Sequence, residues 1–258
     1  MSPCSPPSPE PTSTHPEASI ARALRRLACL GVALLAAGCA SISQPTHPIT
    51  DLSVAVVPAQ APGDSFAVWY SGDAGWGATD RAISARLAAI GLPVVGISSR
   101  RYFWHRRTPT AVAADLDALA ARYAEVFGCE KLVVVGYSFG GAAAPLIVQH
   151  ASPATRARLR MIVLVAPSQH AQLVVRPWTW LEIPGPGSTL TASEVAAVAP
   201  VPVICIYGVR DSLAACPLMP ATPSVKIDSG HLFRRHYDDL VDAIAKAIGL
   251  SRPDVPRG

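Results

Sequence analysis

The sequence predicts an α/β domain in which a mostly parallel sheet is covered by helices on both faces. Short segments rich in Val, Ile and Leu alternate along the chain with longer amphipathic segments. Such short apolar strands are typical of a parallel sheet that is buried on both faces. The 258 residues are 50% hydrophobic and only 16% charged, which supports one sizeable core and excludes a disordered chain.

The predicted elements follow one another in a regular alternation. The strands are short and apolar, and they occupy 53–57, 66–70, 93–97, 131–136, 159–165, 201–207 and 225–227. The helices occupy 79–90, 110–127, 140–151 and 236–249. The helix at 110–127 is the clearest, because Val112, Leu116 and Leu119 recur on one face. The stretch 167–199 has no clear strand pattern, and its position predicts a short lid or substrate cap.

The N-terminus has the pattern of an export signal. Three arginines precede an apolar run at 27–37, which is long enough for a signal peptide and too short to span a bilayer comfortably. The run ends in small residues before Cys39, as in bacterial lipoproteins, in which this cysteine is diacylated. An ordinary cleaved signal and a retained membrane anchor are the alternatives. We therefore predict a lipoprotein signal peptide at 1–38 and a periplasmic protein anchored through Cys39.

The residues after the predicted signal peptide form three predicted segments. We predict a linker at 39–52, one domain at 53–250 and a tail at 251–258. Ala40 follows the cysteine in place of the Asp that usually retains lipoproteins in the inner membrane, so we expect the periplasmic face of the outer membrane. Export implies an oxidising compartment, and Cys205 and Cys216 are one possible disulfide pair.

A Gly-x-Ser-x-Gly motif lies directly between a predicted strand and a predicted helix. It reads Gly136-Tyr137-Ser138-Phe139-Gly140. A serine in a sharp strand-to-helix turn projects its hydroxyl above the edge of the sheet, and the flanking glycines allow close approach of the backbone. The N-terminus of the helix offers N–H groups to a developing oxyanion. We therefore predict that Ser138 is a nucleophile.

A serine nucleophile needs a base, and the base needs an orienting acid. His231 lies in the loop between the last predicted strand and the last helix, where the chain order Ser, acid, His places the base. Asp211 follows the strand at 201–207, so we predict that it is the acid. Asp228 is the rival acid, although it lies too close to His231 in sequence to reach its ring well. His236, at the start of the helix, is expected to cap or pack.

The loop after strand 66–70 is predicted to complete an oxyanion hole. It contains Gly72 and Asp73, whose backbone N–H groups would act together with that of Phe139. The Asp73 side chain would form a hydrogen bond within the loop or face a cationic group of the substrate. A glycine-rich turn without a catalytic role is the alternative.

A basic and aromatic loop follows the strand at 93–97. It includes Arg101, Tyr102, Trp104 and Arg106. Loops at the carboxyl ends of parallel strands face the ligand crevice, and arginine suits phosphate because its planar fork donates two hydrogen bonds. The arginines would therefore bind a lipid headgroup phosphate, and the aromatic residues would contact the membrane interface. The alternative is a set of aromatic residues packed beneath a solvated basic loop.

These motifs together resemble the bacterial virulence protein VirJ/AcvB family of α/β-hydrolases. The matching blocks are Ser71-Gly72-Asp73-x-Gly75-Trp76, Gly91-x-Pro93-Val94-Val95-Gly96, Arg101-Tyr102-Phe103-Trp104, Gly136-Tyr137-Ser138-Phe139-Gly140, Tyr207-Gly208 and Cys216-Pro217. They cover roughly 52–249. The His loop departs from the family, because Leu232 stands where a second histidine is usual.

The resemblance implies a periplasmic serine hydrolase with an α/β-hydrolase fold, no cofactor and no metal. Its implied substrate is an aminoacyl ester of phosphatidylglycerol, such as lysyl-phosphatidylglycerol, met at a membrane surface. The alternative is a non-catalytic accessory protein that binds an envelope or secretion-system partner. A net charge of +4 is too mild to indicate nucleic acid.

Overall fold

The protein has the α/β-hydrolase fold predicted from its sequence. The computed structural model describes residues 52–181 and 183–250. The strands are β1 (Val54–Val57), β2 (Ser65–Tyr70), β3 (Val94–Ile97), β4 (Lys131–Tyr137), β5 (Leu159–Val165), β6 (His170–Ala171), β7 (Thr189–Leu190), β8 (Val203–Gly208) and β9 (Ser224–Ile227). The helices are α1 (Ala78–Ala89), α2 (Ser99–Tyr102), α3 (Pro109–Phe127), α4 (Phe139–Gln149), α5 (Pro153–Arg158), α6 (Thr191–Ala197) and α7 (Tyr237–Ala247).

Seven strands form the central sheet, in the order β1-β3-β2-β4-β5-β8-β9. β1 is antiparallel to β3, and the other neighbours are parallel. β4 therefore lies in the middle of the sheet, and the carboxyl ends of β2, β4, β8 and β9 meet at one edge. This edge gathers the loops that carry the predicted site residues.

Helices cover the sheet on both faces, as the sequence predicts. On one face α3 and α4 pack over the sheet, with Leu116, Leu119 and Ile147 buried against Phe66 and Val134. On the other face α1 and α7 bury residues that include Ile83, Leu87, Leu240 and Ile244. Burial on both faces explains why the central strands are apolar throughout.

Local signals in the sequence set the ends of α3. The Thr108 side chain accepts a hydrogen bond of 3.2 Å from the N–H of Ala111, and Pro109 occupies the first turn, where its missing N–H costs nothing. Gly128 ends the helix with φ 65°, in the left-handed region that favours glycine.

The stretch at 167–199 is an insertion between β5 and β8 with little regular structure. It contains the small β6–β7 sheet, a 3₁₀ turn at Pro177–Leu181 and α6. Backbone hydrogen bonds attach it to the loop after β3, from Arg107 N to Leu173 O (3.1 Å) and from Val175 N to Phe103 O (2.8 Å). The insertion is thereby held beside the carboxyl edge of the sheet, where the sequence predicts a lid.

Cys205, on β8, and Cys216 form a disulfide, which is the pair named in the sequence analysis. Cys129 is a buried free thiol. Within the described ranges no helix is both long and apolar enough to cross a membrane. The predicted signal peptide at 1–38, Cys39, nearly all of the linker and the tail at 251–258 lie outside the described residues.

Candidate active site

The Gly-x-Ser-x-Gly motif forms a tight turn between β4 and α4. Ser138 has φ 54° and ψ −116°, a sparsely populated conformation for a residue with a side chain. A Cβ on Gly136 would lie 2.2 Å from the Gly140 carbonyl oxygen, and a Cβ on Gly140 would lie 2.2 Å from that of Tyr70. Both positions therefore require glycine. This is the strained elbow that the motif predicts.

The structure brings Ser138, His231 and Asp211 together in one chain of hydrogen bonds. His231 Nε2 lies 3.0 Å from Ser138 Oγ, and His231 Nδ1 lies 2.7 Å from Asp211 Oδ2. Asp211 Oδ2 is an acceptor when ionised, so Nδ1 carries the proton of a neutral imidazole and Nε2 accepts from the serine hydroxyl. The arrangement can activate a serine for attack on a carbonyl carbon.

The loop after β8 buries and orients the acid. Asp211 has a side chain that is only 3% exposed, and its Oδ1 accepts a 3.1 Å hydrogen bond from the N–H of Leu213. The N–H of Asp211 donates to Gly208 O at 2.9 Å, which closes the turn. These bonds fix the carboxylate toward His231 in advance of any substrate.

The rival residues lie elsewhere. Asp228 is exposed and pairs with Arg210, so its carboxylate is committed to a surface ion pair. His236 lies at the start of α7, with Nδ1 2.9 Å from Asp239 Oδ2, as expected for a capping or packing residue.

Tyr137 supports the base, a role that the sequence analysis missed. Its hydroxyl donates to the carbonyl oxygen of His231 at 2.9 Å, and its ring lies 5.6 Å from the imidazole, centroid to centroid. Burial raises the pKa of Tyr137, so its hydroxyl remains a donor. The position of Tyr137 between Gly136 and Ser138 shows that it lies near the site. It does not reveal the contact with His231, because the two residues are far apart in the sequence.

The loop after β2 lies against the nucleophile. A methyl group placed on Gly72 would be 3.5 Å from Ser138 Cβ. Ser71 Oγ accepts from the N–H of Ser99 at 3.0 Å, and Ser99 Oγ donates to Ser71 O at 2.6 Å, so paired hydrogen bonds hold this loop to α2. Phe139 follows the nucleophile at the first turn of α4, where N–H groups lack partners within the helix. Gly72 and Phe139 thus flank Ser138.

Asp73 is half-buried at the mouth of the site. Its Oδ2 accepts a 3.2 Å hydrogen bond from the hydroxyl of Thr179, which lies in the insertion. Burial raises the pKa of the Asp73 carboxyl, while Thr179, the backbone N–H groups of Ala74 and Asp73, and the charge of His231 lower it. The Asp73 N–H thus already interacts with the side chain of its own residue. Thr179 was not identified from sequence, since nothing in the local pattern connects it to this loop.

The basic and aromatic loop differs from its prediction. Tyr102 is only 7% exposed, its hydroxyl hydrogen-bonds to Asp115, and Arg107 lies over its ring at 4.1 Å. Tyr102 is therefore a core residue and not a substrate-binding residue, because both its ring and its hydroxyl have internal partners. Arg101 extends toward Ser53, ahead of the edge strand β1, with Nη1 3.5 Å from Ser53 Oγ. The structure does not bring Arg101 to Ser138.

Trp104 and Arg106 remain exposed at the rim. Trp104 is 46% exposed, and Arg106 Nη2 donates to the Pro186 carbonyl in the insertion at 3.2 Å. A second basic surface lies beside the base, in a cavity of about 470 Å³ lined by residues that include His231, Arg210 and Arg234. Among residues 52–181 and 183–250, no group of three or more His, Cys, Asp or Glu is placed to hold a metal ion.

Comparisons with known proteins agree with this fold. A family model described as bacterial virulence protein (VirJ) matches residues 64–251. No curated protein matches the sequence.

Solved structures show the same fold at low sequence identity. Est1E from Butyrivibrio proteoclasticus superposes with a TM-score of 0.55 at 12% identity, over 77% of this chain and 95% of that one. A proline iminopeptidase from Mycobacterium smegmatis gives 0.54 at 15% identity, over 78% and 96%. An alpha-beta serine hydrolase homologue from Coxiella burnetii gives 0.52 at 15% identity, over 76% and 90%. At these identities the likeness is one of fold.

Proposed function

The chain belongs to the bacterial virulence protein (VirJ) family, and from this premise and its site geometry we propose that it is a serine ester hydrolase. The observation that carries the proposal is the continuous hydrogen-bonded chain from Ser138 through His231 to Asp211. A fold alone would not support an activity, because the same fold hosts many functions.

The proposed reaction has two steps. Ser138 Oγ attacks the ester carbonyl carbon while His231 Nε2 takes the hydroxyl proton, and Asp211 stabilises the imidazolium. N–H groups at Phe139 and in the loop at Gly72 bind the oxyanion. The tetrahedral intermediate collapses, the alcohol leaves with the proton from His231, and the acyl group stays on Ser138. Water then attacks the acyl carbon while His231 takes one of its protons; when this second tetrahedral intermediate collapses, His231 returns the proton to Ser138 Oγ, which releases the acid and restores the serine.

We propose that the substrate is the aminoacyl ester of an aminoacylated phosphatidylglycerol. The resemblance of the motif blocks supports this substrate class. The exposed rim supports a lipid surface, since Trp104, Trp178 and Trp180 are 46%, 41% and 52% exposed, and tryptophan is favoured where one end of a side chain is apolar and the other wet.

The phosphate of such a lipid would lie on the leaving-group side of the ester. His231 protonates the leaving alcohol, so the headgroup extends into the cavity that His231 shares with Arg234. Arg106, exposed at the opposite rim, is the second basic contact that we propose for the anionic lipid. Arg101, which reaches toward Ser53 ahead of the edge strand β1, would contact neighbouring headgroups.

We propose that the protein is a periplasmic lipoprotein anchored through Cys39 at the outer membrane. The disulfide between Cys205 and Cys216 supports an oxidising compartment, because such bonds do not persist in a reducing cytosol. An anchored enzyme would meet lipid esters without leaving the membrane surface.

Replacement of Ser138 tests the function directly. Purified wild-type protein should release an amino acid from lysyl- or alanyl-phosphatidylglycerol in vesicles and should react with an active-site fluorophosphonate. Ser138→Ala should lose both, with hydrolysis falling roughly 10⁴-fold or more while the fold is kept. A wild-type protein that neither reacts with the probe nor cleaves any ester would instead favour a non-catalytic binding role.

A further inference from the structure

We propose that the Asp73 carboxylate binds the α-ammonium group of an amino-acid ester and so selects aminoacyl esters over plain acyl esters. The inference rests on the proposed hydrolase function and names the group that the same site recognises. It concerns the Asp73 side chain, whereas the oxyanion role concerns backbone N–H groups of its loop.

The position of Asp73 is the first observation. It directly follows Gly72, the residue packed on Ser138, and its Oδ2 accepts from Thr179 across the mouth of the site. Its carboxyl is close enough to His231 for the charge of one to affect the pKa of the other. Asp73 therefore belongs to the loop that packs on Ser138.

The absence of a basic partner is the second observation. Among the ion pairs of residues 52–181 and 183–250, none includes Asp73. Burial raises the pKa of its carboxyl, because the charged form loses hydration and the hydrogen bonds and the charge of His231 offset this loss only in part. A carboxylate also has about four lone-pair directions, so its contact with Thr179 leaves acceptor capacity. A substrate cation would complete this site.

The geometry of an amino-acid ester fits this place. The α-nitrogen is separated from the carbonyl carbon by one carbon atom, which puts the two atoms about 2.5 Å apart. When the carbonyl oxygen lies in the oxyanion loop and its carbon at Ser138 Oγ, the ammonium group must lie close to the loop that contains Asp73. A plain fatty acyl ester would place an uncharged methylene there and leave the carboxylate without a partner.

The distribution of charge around the site matches that of the proposed lipid. Arg234 lines the cavity beside His231, which we assign to the leaving group, and Arg210 in the same cavity is already paired with Asp228. An aminoacylated phosphatidylglycerol carries its positive charge on the acyl side and its phosphate on the alcohol side. Asp73 and Arg234 therefore favour one orientation of such a lipid.

The test compares two esters that differ only at the amino group. The probes are the 4-nitrobenzyl esters of alanine and of N-acetylalanine, with the released alcohol measured by chromatography. We expect wild-type protein to prefer the free amino ester, and Asp73→Asn to lower the ratio of kcat/KM for the free ester to that for the acetylated ester by about 10- to 100-fold. Asp64→Asn is the charge-matched control, because Asp64 precedes β2 at the opposite edge and pairs with Arg160. It should leave the ratio as in wild type.

Each other outcome overturns the inference in a recognisable way. If Asp73→Asn lowers hydrolysis of both esters and the rate of fluorophosphonate labelling by the same factor, Asp73 only holds the oxyanion loop. If wild type cleaves the two esters equally well, the ammonium site does not exist, although the esterase activity stands. If wild type cleaves neither ester and ignores the fluorophosphonate, the hydrolase function fails and the ammonium site with it.

Discussion

Removal of the Cys205–Cys216 disulfide should destabilise the loop that carries the acid of the site. The bond closes a segment whose ends are 11 residues apart, and Asp211 lies within it. Closing a loop of this length in the unfolded chain is worth about 3 kcal/mol of stability. For a domain of this size that corresponds to a decrease in Tm of roughly 6–12 °C.

Thermal unfolding followed by circular dichroism measures this effect. The samples are oxidised wild type, wild type with reductant, and the double variant Cys205→Ser/Cys216→Ser with and without reductant. Reduced wild type and the double variant should unfold at the same lowered temperature, and reductant should not change the variant. The buried Cys129 thiol is present in every sample, so it does not contribute to the difference.

Removal of the disulfide should also lower the temperature at which ester hydrolysis is lost. Hydrogen bonds from Asp211 N to Gly208 O (2.9 Å) and from Ala215 N to Pro167 O (2.8 Å) also hold this loop. We therefore expect the variant to keep most of its ester hydrolysis at 25 °C and to lose it at a lower temperature than wild type. An unchanged Tm in both reduced wild type and the variant would refute the reasoning, since the disulfide would then not stabilise the protein by restricting the unfolded chain.

Other predictions concern the site, the rim and the anchor. Asp211→Asn should lower kcat for ester hydrolysis by about 10⁴-fold through a mis-set His231 tautomer, and a normal rate would assign the acid elsewhere. Double replacement of Arg101 and Arg106 by Gln should reduce hydrolysis of an anionic lipid ester in vesicles more than that of a small soluble ester. Equal losses would make the loop structural. Cys39→Ser should release the protein into the soluble periplasm or leave its signal uncleaved, and membrane fractionation distinguishes both from an anchored protein.

The sequence by itself was sufficient to predict the sheet, the turn at Ser138 and the edge of the sheet at which the site lies. Alternating apolar strands and amphipathic helices indicated a parallel sheet, because strand and helix periods are local properties of the chain. The glycines around Ser138 indicated the elbow. Asp211 and His231 follow successive late strands, and the carboxyl ends of parallel strands meet at one edge, so their proximity to Ser138 could be anticipated.

Tertiary structure alone decided the directions of side chains in the loops. Tyr102 lies in a loop with a promising composition, yet its hydroxyl turns inward to Asp115. Thr179 reaches Asp73 across 106 positions of sequence, and Tyr137 reaches His231 across 94. The pattern of residues along the chain does not predict such contacts, because they depend on how the insertion and the loop that contains His231 pack against the folded sheet. The order Ser138, Asp211, His231 could be inferred from the chain, whereas the contacts around these residues had to be observed.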